Sequence, residues 1–157
     1  MGNANLAIST VADGSEVGST KINYMLVDSG TSARPNAAVH RVEVTLKDPS
    51  AVLLIKIGRT ENTDSGGSGN TEFARANLST RAKAYLTSFT DGDDDLDIML
   101  GRYYFSGGQP FVLDFPEPIE ALRDWQSSTD SAFAITLKRV DTSTAVGFTL
   151  NVWHEEY

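Results

Sequence analysis

The feature that most constrains this chain is an apolar side chain at every second position, repeated in five segments. Such alternation is typical of a β-strand with one buried face, because successive side chains leave opposite sides of the pleat. We therefore predict an all-β protein, an antiparallel β-sandwich or jelly roll. The alternating apolar sets are Ile22, Tyr24 and Leu26; Val42, Val44 and Leu46; Phe111, Leu113 and Phe115; Phe133, Ile135 and Leu137; and Val146, Phe148, Leu150 and Val152.

Two further segments, Ala51–Ile57 and Ile98–Phe105, are apolar at nearly every position. A strand of this kind is covered on both faces, and a second face this apolar is unusual on the surface of a monomer. The alternatives are a subunit interface and an internal strand beneath a long loop. We also expect Trp153 to lie on the face opposite Val152, where tryptophan commonly serves interfaces or caps an open end. The predicted interface residues are Val52, Leu54, Tyr103 and Trp153.

The domain organisation follows from chain length and from a change of composition near the N-terminus. A chain of 157 residues fits one domain of ordinary size. Residues 1–18 are mostly small and polar, which predicts a flexible N-terminal arm. Residues 19–157 are predicted to form a single β-sandwich domain.

Short polar and proline-containing segments predict the connections between strands. Asp48–Ser50 is predicted to be a turn with proline at its second position. Asp141–Thr144 is expected to join the last two strands as a hairpin. The only helical candidates are short, namely Ala74–Tyr85 and Pro118–Trp125.

Charge and cysteine content exclude several classes of protein. The 13 basic and 21 acidic residues give a formal net charge of −8, with no basic run. Nucleic-acid affinity depends mainly on neutralising phosphates, so neither nucleic acid nor an anionic membrane is an expected partner. The absence of cysteine excludes disulfides, thiolate metal sites and cysteine nucleophiles, and it fits folding in a reducing cytoplasm.

The densest carboxylate cluster lies between Asp91 and Asp97. Asp91, Asp93 and Asp95 have the spacing of the first three ligands of an EF-hand loop, which makes calcium a candidate. The rest of that motif fails, because the sixth position is not glycine and the twelfth is Arg102. A solvated acidic turn is the favoured interpretation, and no metal or other cofactor is expected.

No residue pattern points to catalysis, and we predict that the protein is not an enzyme. A Ser-His-Asp triad would need His40 or His154, and both lie at predicted strand ends. A glycosidase needs two carboxylates that flank the scissile bond. Asp114, Glu117 and Glu120 are the available candidates, but they lie in one short segment.

Three segments of the chain carry distinctive motifs. The first is Leu53–Thr71, in which Ile57-Gly58-Arg59-Thr60 precedes a glycine-rich loop. The second is Val112–Ile119, an aromatic and acidic strand that stops at a proline. The third is the alternating segment Phe148–Glu156, which ends in Trp-His-Glu-Glu. Together these segments resemble a family of tailed-phage capsid decoration (cement) proteins of jelly-roll type.

The resemblance implies a virion structural protein that forms homotrimers on the outside of the phage head and stabilises it. Its partner would be the major capsid protein, and its location the capsid exterior after assembly in the host cytoplasm. The family has no catalytic residue to carry over. A flexible arm can become ordered on a neighbouring subunit, so the expected capsid-binding residues are Asn3, Asn5, Leu6 and Ile8.

A second interpretation is a receptor- or glycan-binding head domain of a phage fibre or spike. Such a domain would present exposed aromatic side chains, for which Tyr103, Tyr104 and Trp125 are candidates. The same sandwich can serve both functions, so the fold alone does not separate them.

Overall fold

The computed structural model describes residues 5–11, 16–20, 22–28, 37–60, 71–72, 75–76, 82–87, 96, 98–121 and 132–156. These residues form strands and their connections, with no helix among them. The strands are β1 Asn5–Val11, β2 Glu16–Val17, β3 Ile22–Asp28, β4 Ala37–Leu46, β5 Val52–Thr60, β6 Thr71–Glu72, β7 Arg75–Ala76, β8 Ala82–Thr87, β9 Ile98–Ser106, β10 Phe111–Ala121, β11 Ala132–Arg139 and β12 Val146–Glu156.

The strands form two antiparallel sheets that pack as a β-sandwich, which confirms the predicted fold class. The first sheet has the order β10-β4-β12-β1-β7, and β2 also pairs with β12. The second sheet has the order β6-β8-β3-β11-β5-β9. Strands β10 and β9 are therefore edge strands, one in each sheet.

The long strands pair in a nested pattern along the chain. β1 pairs with β12, β3 with β11, β4 with β10, and β5 with β9. The two further pairings β4–β12 and β5–β11 complete four adjacent strands in each sheet. The pattern is that of one long antiparallel hairpin wrapped around a single core, with β8 added beside β3.

The core lies between the sheets and consists of the alternating residues. The predicted apolar sets on β4, β11 and β12 are buried, and those on β10 pack against them. On β5, Leu53, Ile55 and Ile57 are fully buried, whereas Val52 and Leu54 on the other face are half-buried. The strand covered on both faces is β11 instead, because Ala134 and Thr136 on its outer side are also buried.

The connection between β11 and β12 differs from the predicted hairpin. β11 pairs with β3 and β5, whereas β12 lies in the other sheet, so residues 140–145 cross from one sheet to the other. The turn at Asp48–Ser50 is confirmed: the Ala51 N–H donates to the Asp48 carbonyl (3.3 Å), and Ser50 N and Oγ donate to Asp48 Oδ1. This turn links β4 to β5, which also belong to different sheets. Alternation alone cannot distinguish a hairpin from a sheet-to-sheet connection, because both join strands of the same pattern.

Both helix predictions are wrong in the parts that the structure describes. Of Ala74–Tyr85, residues 75–76 and 82–85 lie in strands. Residues 118–121 continue β10 past Pro116 and Pro118, so the strand does not stop at a proline as expected. Proline is tolerated there because β10 is an edge strand, and because its pairing with β4 shifts register between Asp114 and Ile119.

Two parts of the segment that was predicted to be a flexible arm lie in strands. Residues 5–11 form β1, which pairs with β12 from Asn5 opposite Glu156 to Val11 opposite Leu150. Residues 16 and 17 continue along the same partner strand as β2. Short polar composition favoured an arm, but an available edge on β12 satisfies the backbone hydrogen bonds of this segment.

Candidate functional site

The outer side of the second sheet carries a surface that combines cations with exposed apolar groups. We call the outer side of β5, β9 and β11 the basic face. Register places its side chains in rows across the three strands, because directly paired residues share a face. One central row contains Lys138, Leu54 and Tyr104. The row beside it contains Thr136, Lys56 and Arg102.

Arg102 is held in place on the basic face by its neighbour Tyr104. The Arg102 Nη2 donates to Tyr104 Oη (3.2 Å), and the guanidinium carbon lies 5.8 Å from the centre of the tyrosine ring. Arg102 also stands directly opposite Lys56 in the β5–β9 pair. The two cations therefore lie side by side on the outer side of the second sheet.

Exposed apolar side chains concentrate beside these cations. Tyr104 is 65% exposed, Leu100 48% and Met99 42%, and all three lie on the edge strand β9. Val140, which is 43% exposed, directly follows β11, and its N–H donates to the Val52 carbonyl (2.9 Å). Met99 and Leu100 lie near the start of β9, whereas Val140 lies beside Val52, which pairs with Ser106 at the end of that strand. Exposed apolar groups along an edge strand mark a candidate interaction surface.

The outer side of the first sheet is different in character. Trp153 is half-buried there, and the guanidinium carbon of Arg41 lies 5.4 Å from the centre of its ring. Arg41 is flanked by Asp114 (3.6 Å) and Glu43 (3.9 Å). This face thus presents an indole with carboxylates and one guanidinium around it.

The two histidines lie on opposite sides of the first sheet. His154 is fully buried on the core side, in phase with Val152. His40 is half-exposed, and its Nε2 lies 2.9 Å from Oε1 of Glu155 on the outer side. A register shift in the β4–β12 pair at this point places His40 on the side opposite the buried residues Val42, Val44 and Leu46.

A third polar cluster ties the β11–β12 connection to the β4–β5 turn. Arg139, which is 6% exposed, donates from Nε and Nη2 to the two carboxylate oxygens of Asp141 (2.8 and 2.9 Å). Its Nη1 donates to the Thr144 carbonyl (3.0 Å), and Nη2 lies 3.5 Å from Asp48. The Val52 N–H donates to Asp141 Oδ1 (3.1 Å). These contacts link neighbouring connections and serve the fold.

The structure divides the predicted interface residues between three places. Val52 and Leu54 lie on the outer side of the second sheet, and Trp153 lies on the outer side of the first. Tyr103 points inward, pairs with Ile55 and packs against Phe111 at a ring distance of 5.4 Å. Its neighbour Tyr104 is the exposed tyrosine. An interface through β9 would therefore use Tyr104 in place of Tyr103.

Sequence reasoning did not single out Lys56, Arg102 or Lys138. A signal was present, since Lys56 shares the phase of Val52 and Leu54 in an otherwise apolar segment. Arg102 likewise interrupts the apolar segment of β9. A lone cation in an apolar strand marks its solvent side, and pairing the two strands would have brought the cations together.

The other residues that the sequence singled out lie in β1, in β10 or outside the described residues. Asn5, Leu6 and Ile8 lie in β1, whereas Asn3 lies outside the described residues. The calcium candidates Asp91, Asp93 and Asp95, as well as Trp125, also lie outside them. The carboxylates of Asp114, Glu117 and Glu120 are exposed and lie on the edge strand β10.

Within the described ranges, no three histidine or carboxylate side chains are grouped as a metal site would require. Nor does that part of the chain contain a helix long and apolar enough to cross a membrane. Comparison with protein-family models, with curated proteins and with solved structures finds no match for this chain.

Proposed function

We propose that this protein is a virion structural protein, a trimeric decoration protein that binds and stabilises the head of a tailed phage. The nested pairing of β1 with β12, β3 with β11, β4 with β10 and β5 with β9 is the order expected of a jelly roll. Jelly rolls are common in viral capsid and lectin domains. Because a fold hosts many functions, the surface must carry the rest of the argument.

The basic face is the observation that carries the proposal. Among the described residues, four of the five large apolar side chains that are exposed lie on it or at its border, namely Met99, Leu100, Tyr104 and Val140. A protein that worked alone in solution would gain nothing from this grouping, whereas a subunit of an assembly buries it. The partners are further copies of the chain and the major capsid protein, and the function is not enzymatic.

The location that we propose is the capsid exterior, reached after assembly in the host cytoplasm. The chain has no cysteine, so it needs no oxidising compartment to fold. Because Asn5, Leu6 and Ile8 belong to β1, which pairs with β12 and β7, any capsid contact at these residues is made from the first sheet. Asn3 precedes that strand and completes the proposed contact.

The decisive experiment is co-sedimentation of the purified protein with phage capsids that lack it. We expect saturable binding at a fixed ratio to the capsid lattice, together with greater resistance of the capsids to heat. A variant with Tyr104→Ser should bind less, and Val112→Ser is the matched control because Val112 is exposed on the other sheet. Absence of binding to such capsids would contradict the proposal.

The alternative is a glycan- or receptor-binding head of a fibre or spike. It is favoured by Trp153, whose ring lies among Arg41, Glu43 and Asp114 on the outer side of the first sheet. Aromatic rings and fixed polar groups together bind sugars with defined orientation. Binding to a glycan array or to host cells that Trp153→Ala abolishes, without any capsid binding, would replace the decoration proposal with this one.

A further inference from the structure

Strand β9 has one long side that no other strand covers in the described part of the chain. It pairs with β5 alone, and beyond the register shift in that pair its regular part runs from Gly101 to Ser106. The other edges are short or protected, because β6 and β7 have two residues each and β10 contains Pro116 and Pro118. Proteins usually protect an edge in these ways, since unpaired backbone groups attract further strands. An edge without such protection is therefore a candidate binding site for a strand of a partner.

The pairing with β5 determines which backbone groups of β9 point away from the sheet. Gly107, which directly follows β9, donates its N–H to the carbonyl of Ala51 (3.0 Å). Residues that face the partner alternate with residues that face away along an antiparallel pair, so every second residue back from Gly107 faces β5. Val52, the neighbour of Ala51, accordingly accepts on its other side from the N–H of Val140 (2.9 Å). The outward N–H and C=O groups, which we call the open edge, belong to Arg102, Tyr104 and Ser106.

The open edge specifies the chemical class of its partner. Its donors and acceptors alternate at the spacing of a β-strand, and only another extended polypeptide presents the matching row. The side chains of the same three residues are exposed and lie on the outer side of the second sheet. A strand added here would satisfy backbone groups that no described strand satisfies, and it would extend the second sheet by one strand.

Arg102 predicts one side chain of the added strand. It is the one charged residue of β9, it is exposed, and its Nη2 donates to Tyr104 Oη (3.2 Å). No carboxylate of the described residues lies within reach of it. An added strand places a side chain directly beside Arg102, and in such a cross-strand pair opposite charges stabilise whereas like charges destabilise. We therefore expect the partner strand to carry aspartate or glutamate at this position.

The inner side of β9 predicts apolar residues at the alternate positions. Tyr103 packs against Phe111 of β10 at a ring distance of 5.4 Å, and Phe105 does so at 5.7 Å. Tyr103 and Phe111 are nevertheless only half-buried, because β9 and β10 are the outermost strands of their sheets. Apolar side chains of an added strand would cover these rings and extend the core. The expected segment thus alternates apolar residues with polar ones, of which one is acidic.

A second copy of the chain offers no such segment at the edges that the structure describes. Another β9 contains neither aspartate nor glutamate and cannot supply the carboxylate. β10 is acidic, but Pro116 and Pro118 do not have the N–H donors that pairing needs. The partner is therefore a different protein, which under the proposed function is the major capsid protein.

We propose that β9 binds the capsid protein by strand addition, in which an extended, acidic and apolar segment of that protein pairs with the open edge. Arg102, positioned by Tyr104, binds the carboxylate of this segment, and its apolar side chains pack on Tyr103 and Phe111. The inference rests on the proposed function and adds a second capsid contact to the one proposed for the N-terminal residues.

The test compares two substitutions at one position, by co-sedimentation of the full-length protein with phage capsids that lack it. Tyr104→Ala removes the ring and keeps the N–H, whereas Tyr104→Pro removes both and leaves the bonds to β5 in place. The proline variant should bind at least roughly tenfold more weakly than the alanine variant, because a carbonyl of the partner loses its donor. Arg102→Glu should also weaken binding, because it places two carboxylates side by side. If melting curves show that Tyr104→Pro does not fold, Ser106→Pro against Ser106→Ala makes the same comparison.

Amide hydrogen exchange of the unaltered protein, free and bound to capsids, measures the open edge directly. The N–H groups of Arg102, Tyr104 and Ser106 should exchange rapidly in the free protein and slowly in the complex. Those of Tyr103 and Phe105, which face β5, should exchange slowly in both. Equal capsid binding by Tyr104→Pro and Tyr104→Ala, or rapid exchange at the open edge in the complex, overturns the inference and retains the decoration function.

Failure of the proposed function is recognised separately. If the unaltered protein binds no capsid, the probe is a synthetic peptide of alternating valine and threonine with one central glutamate. Slower exchange at the open edge with this peptide, and not with the same peptide carrying lysine in place of glutamate, retains the contact and contradicts the decoration function. Equal protection by both peptides, or by neither, overturns the contact as well. A dimer in sedimentation velocity that Tyr104→Pro dissociates would assign the open edge to a second copy, which also overturns the inference.

Discussion

At the scale of single residues, Arg139 and Asp141 show how one ion pair fixes two connections. The guanidinium hydrogen bonds hold the pKa of the Asp141 carboxyl well below its usual range. An unfolded aspartate titrates near pH 3.9. Because the folded pKa is the lower one, the pair stabilises the protein above about pH 4, and this stability is lost as the pH falls further. Hydrogen bonds from Ser50 lower the pKa of Asp48 in the same sense.

We therefore predict that Asp141→Asn lowers the melting temperature at pH 7 and flattens its decline below pH 4. The substitution removes a charge partner from Arg139, which is buried. Glu117→Gln is the control, since Glu117 is exposed and should leave both the melting temperature and its pH dependence unchanged. Melting curves from pH 7 to pH 3 provide the measurement. An Asp141→Asn curve parallel to that of the unaltered protein would contradict the assignment.

Gly107 gives a steric prediction at the same scale. A Cβ at this position would lie 2.5 Å from the Asp48 carbonyl oxygen and 3.1 Å from Leu46 Cβ. The Gly107 N–H also donates to the Ala51 carbonyl (3.0 Å), which prevents the turn from moving away. Gly107→Ala should therefore lower the free energy of unfolding by about 1–3 kcal/mol, as overpacking does.

The adjacent glycine supplies the control for that substitution. A Cβ at Gly108 would meet nothing within 4 Å. Gly108→Ala should change the free energy of unfolding by no more than about 0.5 kcal/mol, as at other open surface positions. Urea titrations of both variants measure the difference. Equal effects at the two positions would show that the close approach to Asp48 is not present in solution.

At the scale of elements, β12 is the strand on which the first sheet depends. It pairs with β4 on one side and with β1 on the other, and Phe148, Leu150 and Val152 are fully buried. Phe148→Ala should lower the free energy of unfolding by about 3–5 kcal/mol, the usual cost of removing a buried phenylalanine. Thr149→Ala on the other face should cost less than about 1 kcal/mol. Denaturant titrations test this ratio, and similar losses at both positions would place Phe148 outside the core.

The element scale also shows how far a sequence of this kind can be interpreted. Alternation predicted which faces of β4, β11 and β12 are buried, because a period of two is a local property of a strand. It could not predict that the β11–β12 connection crosses between sheets, since pairing partners are set by contacts distant in the chain. In Tyr103-Tyr104-Phe105 every position is aromatic, so only the pairing with β5 determines that Tyr104 is the exposed one.

The basic face could be predicted only in part, because its residues come together through contacts that are distant in the chain. Val52 and Leu54 were recognisable because they lie in an apolar segment with two apolar faces. The cations Lys56 and Arg102 lie 46 positions apart in the chain and become neighbours through the β5–β9 register. Neither strand alone gives a reason to compare the two side chains. Only the pairing of β5 with β9 shows that the two cations lie on the same surface.

At the scale of the whole molecule, the N-terminal segment closes the first sheet. β1 pairs with β12 over seven residues, and β2 adds two more pairs farther along the same strand. Removing residues 1–11 would leave one side of β12 without its backbone partners, and exposed strand edges promote association with other chains. Deletion of residues 1–11 should therefore lower the melting temperature and cause aggregation.

The two interpretations of this segment predict opposite results. A flexible arm can be removed without loss of stability, and only binding to a partner then suffers. A strand that completes a sheet cannot, because backbone groups of β12 between Leu150 and Glu156 lose the hydrogen-bonding partners that β1 supplies. Deletion of residues 1–4 alone is the control, since it leaves β1 intact. Melting curves and sedimentation of both deletions decide the matter: if the longer deletion melts like the control and stays dispersed, residues 5–11 act as an arm in solution.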